Sequence, residues 1–324
     1  MTSVPTINEL MLTFDLNHIF AHKVYTYAVE NKDKLKNIND LKKLIDDKPK
    51  PFVKWVGGKR QLLKQFNSMD LYPPEFFDPT KHSYFEPFAG GGAVFFDLLP
   101  EKAYLSDLNF ELVTTYNVIK TNVEGLIKSL KRHPHNKEYF LSIRSQKVSD
   151  LTPIQIASRF IYLNRTCFNG MYRVNSKGGF NVPFGKYNNP LICDDVNLRK
   201  VSKALQNVEI VHQDYKAILK KAKKGDFVYF DPPYHPLNET SSFTSYTKEG
   251  FGEKEQIELR DIFLKLHKKG CLVMLSNSDA KFINKIYGEL KEEGITIHKV
   301  HANRMVNSKV SGRGKIKEVL VTNY

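Results

Sequence analysis

The run Tyr84-Phe85-Glu86-Pro87-Phe88 passes directly into Ala89-Gly90-Gly91-Gly92, and a helix-forming stretch, Ala93–Leu99, begins at once. An extended apolar segment handed to a helix across three glycines is the kind of unit from which α/β sheets are built. Ala103–Asp107 reads as a second short strand. Strand-like runs return at Asp226–Phe230, Cys271–Ser276 and Ile295–Val300, and Glu318–Asn323 forms the last. The amphipathic run Glu253–Lys269 lies between the first two of these returns. Ahead of this pattern, residues 1–48 read as two or three short amphipathic helices, closed by the turn Lys48-Pro49-Lys50-Pro51. Residues 121–220 mix helical stretches with a Gly- and Asn-rich section, Asn169–Pro190, that reads as a hairpin.

Asp231-Pro232-Pro233-Tyr234 follows the apolar strand Phe227–Phe230. It therefore sits at the carboxyl end of a sheet strand, where ligands of open α/β sheets bind. The prolines remove backbone donors and stiffen the turn. Carbonyl oxygens and a carboxylate remain as acceptors beside an aromatic ring, which suits a planar base bearing an NH2 group. A rigid turn with a capping Asp is the plainer alternative. The glycines at 90–92 are not a dinucleotide fingerprint, because Phe95 stands where the third glycine belongs. Gly58-Lys59 is not a phosphate loop either, since Val53 replaces its first glycine and Arg60 its Ser/Thr. Asp107, at a second strand end, suits a ribose hydroxyl or equally a helix cap.

The charge is placed unevenly. Of a net +14, the stretch Lys120–Lys224 holds about +13, with 20 Lys and Arg against 7 Asp and Glu, while the first fifty residues carry 8 against 7. A basic segment between balanced flanks is either a polyanion-binding insertion or a solvated Lys-rich surface. The three cysteines, Cys167, Cys193 and Cys271, form neither a disulfide framework nor a metal motif. The ten histidines show no ligand spacing, so no metal is expected. With no apolar run of membrane-spanning length and no signal peptide, a cytoplasmic protein is expected, without a membrane partner.

Four ordered segments together resemble the D12-class (Dam-type) DNA adenine-N6 methyltransferases over roughly residues 50–324. These are Phe52-Val53-Lys54-Trp55-Val56-Gly57-Gly58-Lys59-Arg60, the Phe85–Gly92 run with Ser106-Asp107-Leu108-Asn109, the pair Phe168–Arg173 and Phe180–Gly185, and Asp231-Pro232-Pro233-Tyr234. The resemblance implies a Rossmann-like α/β sheet using S-adenosylmethionine, with a mainly helical DNA-recognition insertion. It implies a catalytic domain at 49–120 and 221–324, a recognition domain at 121–220, and a helical extension at 1–48 outside the resemblance. By it, Asp231, Pro232, Pro233 and Tyr234 are catalytic. Trp55, Lys59, Glu86, Phe88, Gly90, Gly92, Asp107 and Asp231 bind the cofactor, with Lys59 on its methionine carboxylate. Lys54, Asn169, Gly170, Met171, Arg173 and Pro183 read double-stranded DNA, with GATC as the implied site and longer sites containing GAT as the alternative.

Cytosine-C5 chemistry is excluded, because it uses a cysteine after proline and here Thr166, Ile192 and Gly270 precede the cysteines. Amino-methylation of cytosine or of RNA adenine is the enzymatic alternative. A DNA-binding protein with a dead site is the alternative of another class. Phe243, in Ser242–Thr247, is placed to close over a flipped base or simply to pack its own loop. Arg304, Asn307, Ser308 and Arg313 suit a phosphate grip or a solvated hairpin. The sequence leaves open the oligomeric state and the existence of a partner restriction endonuclease.

Overall fold

The computed structural model describes residues 4–33, 35, 37–237, 251–303 and 315–324. The expectations for Phe243 and its loop, and for Arg304, Asn307, Ser308 and Arg313, lie outside these residues. The strands are β1 (Tyr84–Glu86), β2 (Ala103–Asp107), β3 (Val208–His212), β4 (Phe227–Phe230), β5 (Leu272–Ser278), β6 (Thr296–Asn303) and β7 (Lys315–Thr322). They form one sheet in the order β3-β2-β1-β4-β5-β7-β6. The pairs from β3 through β5 are parallel, and β7 runs antiparallel to both β5 and β6. This is the expected Rossmann-like α/β sheet.

Burial explains the strand signals. All four residues of β4 are buried, as a central parallel strand covered on both faces requires, so the run reads as unbroken hydrophobicity. At the sheet edge, only Val208 of β3 is buried. That half-exposed pentapeptide carries a weak signal, and the sequence reading passed over it. Helix Glu253–Lys268 turns Leu259, Ile262, Phe263 and Leu266 into the cluster holding Val273 and Leu275 of β5. Helix Phe110–Leu130 buries Leu112, Tyr116 and Ile119 with Leu105 of β2 in the second large cluster. It bends at Asn122, whose side-chain oxygen accepts from the Gly125 amide at 3.1 Å.

Between β2 and β3 the chain runs through helices Phe110–Leu130, Lys137–Ser145, Pro153–Thr166 and Asp195–Ala204. Residues 121–220 are thus not all outside the sheet: β3 lies within them and pairs with β2 from Ala103↔Val208 to Asp107↔His212. The Asn169–Pro190 section folds back on itself through isolated antiparallel bridges, Cys167↔Phe184 and Val174↔Phe180, rather than through continuous strands.

The N-terminal segment forms helices Ile7–Phe14, His18–Glu30 and Ile38–Asp46 around a small core that includes Leu10, Phe20, Val24 and Leu41. It docks on Asp97, in the helix Ala93–Leu98 that follows the glycines. Asn17 donates to Asp97 Oδ2 at 2.9 Å, and Lys48 pairs with Oδ1 at 3.0 Å. No helix among the described residues is long and apolar enough to cross a membrane.

Candidate active site

Three neighbouring strands each deliver a carboxylate to the same edge of the sheet. Phe85 in β1 is level with Tyr104 in β2 and Val228 in β4. Glu86 follows Phe85, while Asp107 and Asp231 each lie three residues beyond those partners. Phe88 continues from β1 between them and is anchored by its ring on Tyr215, with centroids 5.1 Å apart. Parallel strands put all their carboxyl ends on one side, so this convergence follows from topology.

Glu86 is 3% exposed and accepts through one oxygen, Oε2, from the Tyr84 hydroxyl at 2.8 Å and from the Phe95 amide at 3.2 Å. Burial pushes its carboxyl up from the ordinary 4.5 to about 8; nearby Asp231 adds to the rise and the hydrogen bonds oppose it. The folded chain therefore holds a proton that the unfolded chain has released between about pH 4.5 and 8. The contribution of this group to stability falls as pH rises through that window and levels off above it. Glu86→Gln keeps the shape and never ionises, so it is expected to flatten this dependence, at roughly 1 kcal/mol per pH unit. Urea unfolding at several values between pH 5 and 8 measures it. A slope unchanged in the variant would show that Glu86 is ionised in the fold.

Beside Glu86, Lys59 is 3% exposed, and its ammonium pairs with Asp231 Oδ2 at 2.8 Å and donates to the Gly57 carbonyl at 2.6 Å. It also lies 5.0 Å from the centroid of the Tyr234 ring. Lys59 is thus an interior lysine, not a surface one. Burial raises the Asp231 carboxyl above its usual range, and Lys59 pulls it back. The Tyr234 hydroxyl donates to Glu318 Oε2 on β7 at 2.9 Å. Buried Gln256 donates to the Pro233 carbonyl at 2.9 Å, and buried Asn277 accepts from the His235 amide at 3.1 Å. Among the described residues nothing donates to the Pro232 carbonyl. Glu318, Gln256 and Asn277 were missed in the sequence, where isolated polar residues in strands or helices carry no motif.

Asp107 does not cap the next helix; Asn109 does, accepting from the Leu112 amide at 3.0 Å. Instead the Asp107 carboxylate accepts from Gly90 N at 3.0 Å and from Asn109 N at 2.9 Å, fixing the glycine loop. Gly90 and Gly92 have φ of +47° and +66°. A Cβ at Gly90 would lie 2.7 Å from the Trp55 indole nitrogen, and one at Gly92 would lie 2.6 Å from the Tyr116 hydroxyl. The room that these glycines leave is taken by the protein's own aromatic rings. Trp55, half-buried, stacks in turn on Tyr172, with centroids 5.9 Å apart.

The residues expected to read DNA lie on the segment before Trp55 and on the folded-back section after helix Pro153–Thr166, which meet where Gly170 lies against Lys54. Lys54, Asn169, Arg173 and Pro183 are exposed, Met171 is half-buried, and Gly170 is buried. Arg173 Nε donates to Asn181 Oδ1 at 2.7 Å across the folded-back section. Segment 50–54 is held at alternate residues by side chains. Asn197 bonds both the amide and the carbonyl of Lys50 at 2.9 Å, and Arg165 donates to the Phe52 carbonyl at 2.8 Å. Asn164 bonds both backbone groups of Lys54 at 2.8 Å. Under this layer lies a buried ion pair, Arg159–Glu111 at 2.6 Å, whose carboxylate also accepts from the Tyr172 hydroxyl at 3.0 Å.

Residues 55–306 match the family model of the D12 class N6 adenine-specific DNA methyltransferase. The chain is 45% identical to a type II methyltransferase, M1.LlaDCHI, of Lactococcus lactis subsp. cremoris, over 85% of this chain and 95% of that one. It is 43% identical to the type II methyltransferase M.MjaIII of Methanocaldococcus jannaschii, over 85% and 99%. A DNA adenine methylase of Haemophilus influenzae is 33% identical over 84% and 93%. A family model spanning most of the chain, and relatives aligned over nearly their whole length, show that this protein belongs to the D12 class of adenine-specific DNA methyltransferases.

Proposed function

We propose that the chain transfers a methyl group from S-adenosylmethionine to N6 of an adenine flipped out of double-stranded DNA, at GATC. The observation that carries this reading is the row of carboxylates, Glu86, Asp107 and Asp231, at one sheet edge with buried Lys59 among them. The donor set fits the cofactor, a sulfonium with an ammonium and a carboxylate. Lys59 would hold the carboxylate, Glu86 offers acceptor capacity to the ammonium, and Asp107 has lone pairs left for ribose hydroxyls. Trp55, Phe88 and the Gly90–Gly92 backbone would form the walls. When bound, the cofactor supplies an electrophilic methyl group.

The chain's own residues deal with the nucleophile. Adenine's exocyclic nitrogen is weak because its lone pair is delocalised into the ring. Hydrogen bonds from that NH2 group to the Asp231 carboxylate and the Pro232 carbonyl favour a tetrahedral nitrogen and localise the pair. Lys59 opposes the burial that disfavours the Asp231 carboxylate. Tyr234, its hydroxyl tethered to Glu318, offers a fixed ring for the flipped base to stack on. Pro233 stiffens the turn, and Gln256 anchors its carbonyl. This is catalysis by orientation and electrostatics, without a covalent intermediate.

Residues 1–48 would serve as an extension bracing the helix after the glycine loop, 49–120 and 221–324 with β3 as the catalytic part, and the rest of 121–220 as the recognition part. In the recognition part, Arg173, its Nε held by Asn181, keeps its terminal NH2 groups for a guanine edge. Asn169, Met171, Pro183 and Lys54 flank it. Relatives named as type II methyltransferases support a companion restriction endonuclease. Labelled S-adenosylmethionine and sequencing of the product test the proposal together: label on adenine N6 within GATC is the expected result. Label on cytosine or RNA would reject the substrate, and label on adenine in another sequence would reject only the site.

A further inference from the structure

We propose that Asn164 is a positioning residue for base recognition, a buried amide that fixes Lys54 against the Asn169–Arg173 turn. The inference rests on the reading above that these two segments face DNA. Asn164 lies in the last turn of helix Pro153–Thr166 and is 1% exposed. Its NH2 group donates to the Lys54 carbonyl at 2.8 Å and to the Gly170 carbonyl at 2.9 Å, and its oxygen accepts from the Lys54 amide at 2.8 Å. Both N–H bonds and the oxygen are thus used, two on one segment and one on the other.

Nothing near in sequence sets the distance between Lys54 and Gly170, which are 116 positions apart. Their contact is close. Gly170 has φ of +64°, and a Cβ there would lie 2.7 Å from Lys54 Cβ, so the lysine stem lies directly on the turn. Beyond the stem, the Lys54 ammonium donates to the Tyr187 hydroxyl at 3.2 Å and lies 4.3 Å from that ring's centroid. Base edges are read by paired donors whose placement must hold to a fraction of an ångström. A single amide spanning both carbonyls supplies that constraint, and does so without touching DNA.

Asn197 provides a matched control. It is also buried, and it grips the Lys50 backbone with the same pair of bonds at 2.9 Å, four residues upstream on the same segment. It makes no bond to the turn. A merely structural role would make the two asparagines equivalent in function.

The experiment compares Asn164→Ala, Asn197→Ala and Arg173→Ala, with thermal unfolding run to confirm that each is folded. Discrimination is measured as the ratio of kcat/KM on a duplex carrying the mapped methylation site to that on each single base-pair substitution of it. Asn164→Ala is expected to lose discrimination on the order of tenfold at one or more positions, while Asn197→Ala keeps the wild-type ratios. Asn164→Ser, which retains one hydrogen-bonding group, carries the same comparison if the alanine variant does not fold. Equal loss in the Asn164 and Asn197 variants overturns the inference. So does wild-type discrimination in Asn164→Ala when Arg173→Ala has lost it. Wild-type discrimination in Arg173→Ala overturns the reading of the turn itself, and this inference with it.

Discussion

Asp231→Ala is expected to lower the single-turnover rate of methyl transfer by roughly 30- to 1000-fold, the equivalent of about 2–4 kcal/mol for one charged hydrogen bond present at the reacting nitrogen. The side chain is only partly exposed and its partner Lys59 is buried, so removing it also takes the ion-pair partner from a buried ammonium that otherwise donates to the Gly57 carbonyl. Asp231→Asn separates the two effects. It preserves shape and one acceptor oxygen, so it should fall between wild type and alanine in rate. Rapid-quench assays under saturating cofactor and DNA give the chemical step directly. An alanine variant that keeps more than about a tenth of the wild-type rate would falsify the role given to this carboxylate.

Arg159→Ala is expected to destabilise the fold by about 3–5 kcal/mol, because it strands the Glu111 carboxylate in the interior. Both side chains of this pair are less than a tenth exposed. The guanidinium also donates to the carbonyls of Ile143 and Arg144 at 3.1 and 3.2 Å, so three acceptors each lose a donor. Burial already raises the Glu111 carboxyl and Arg159 opposes it, so without the arginine Glu111 is expected to take up a proton. Pairing the change with Glu111→Gln should recover part of the loss. Urea unfolding measures both. A loss below about 1 kcal/mol for Arg159→Ala would mean that this pair is solvated in the folded protein.

The contrast between these two sites shows what a sequence makes legible. Asp231, Gly90 and Asp107 announce themselves because strand ends, glycines and prolines leave local marks in the chain. Arg159, Glu111, Asn164 and Glu318 leave none. Arg159 meets Glu111, Asn164 meets Lys54 and Glu318 meets Tyr234 across 48 residues or more, from ordinary helical or strand positions. Lys59 falls between: its motif marked it, but only the fold shows it buried against Asp231. Strand β3 was missed for the opposite reason, since half-exposure at an edge blurs the hydrophobic run that reveals β4. The glycines were read correctly as a loop. Their reason is partly different, because Trp55 and Tyr116 occupy the room a side chain would need.

The position of β7 has a consequence for the order in which the protein can be assembled. β7 follows β6 in the chain but lies between β5 and β6 in the sheet, so β6 joins the rest of the sheet only through β7. Glu318, the acceptor of the Tyr234 hydroxyl, arrives on that same strand. A chain folded only as far as β6 would hold the Asp231–Tyr234 turn with its aromatic ring untethered and the flank of β5 open. Insertion of β7 therefore joins β6 to the sheet and tethers the ring together. The strand that joins the last edge to the sheet is thus also the one that fixes the aromatic ring of the site.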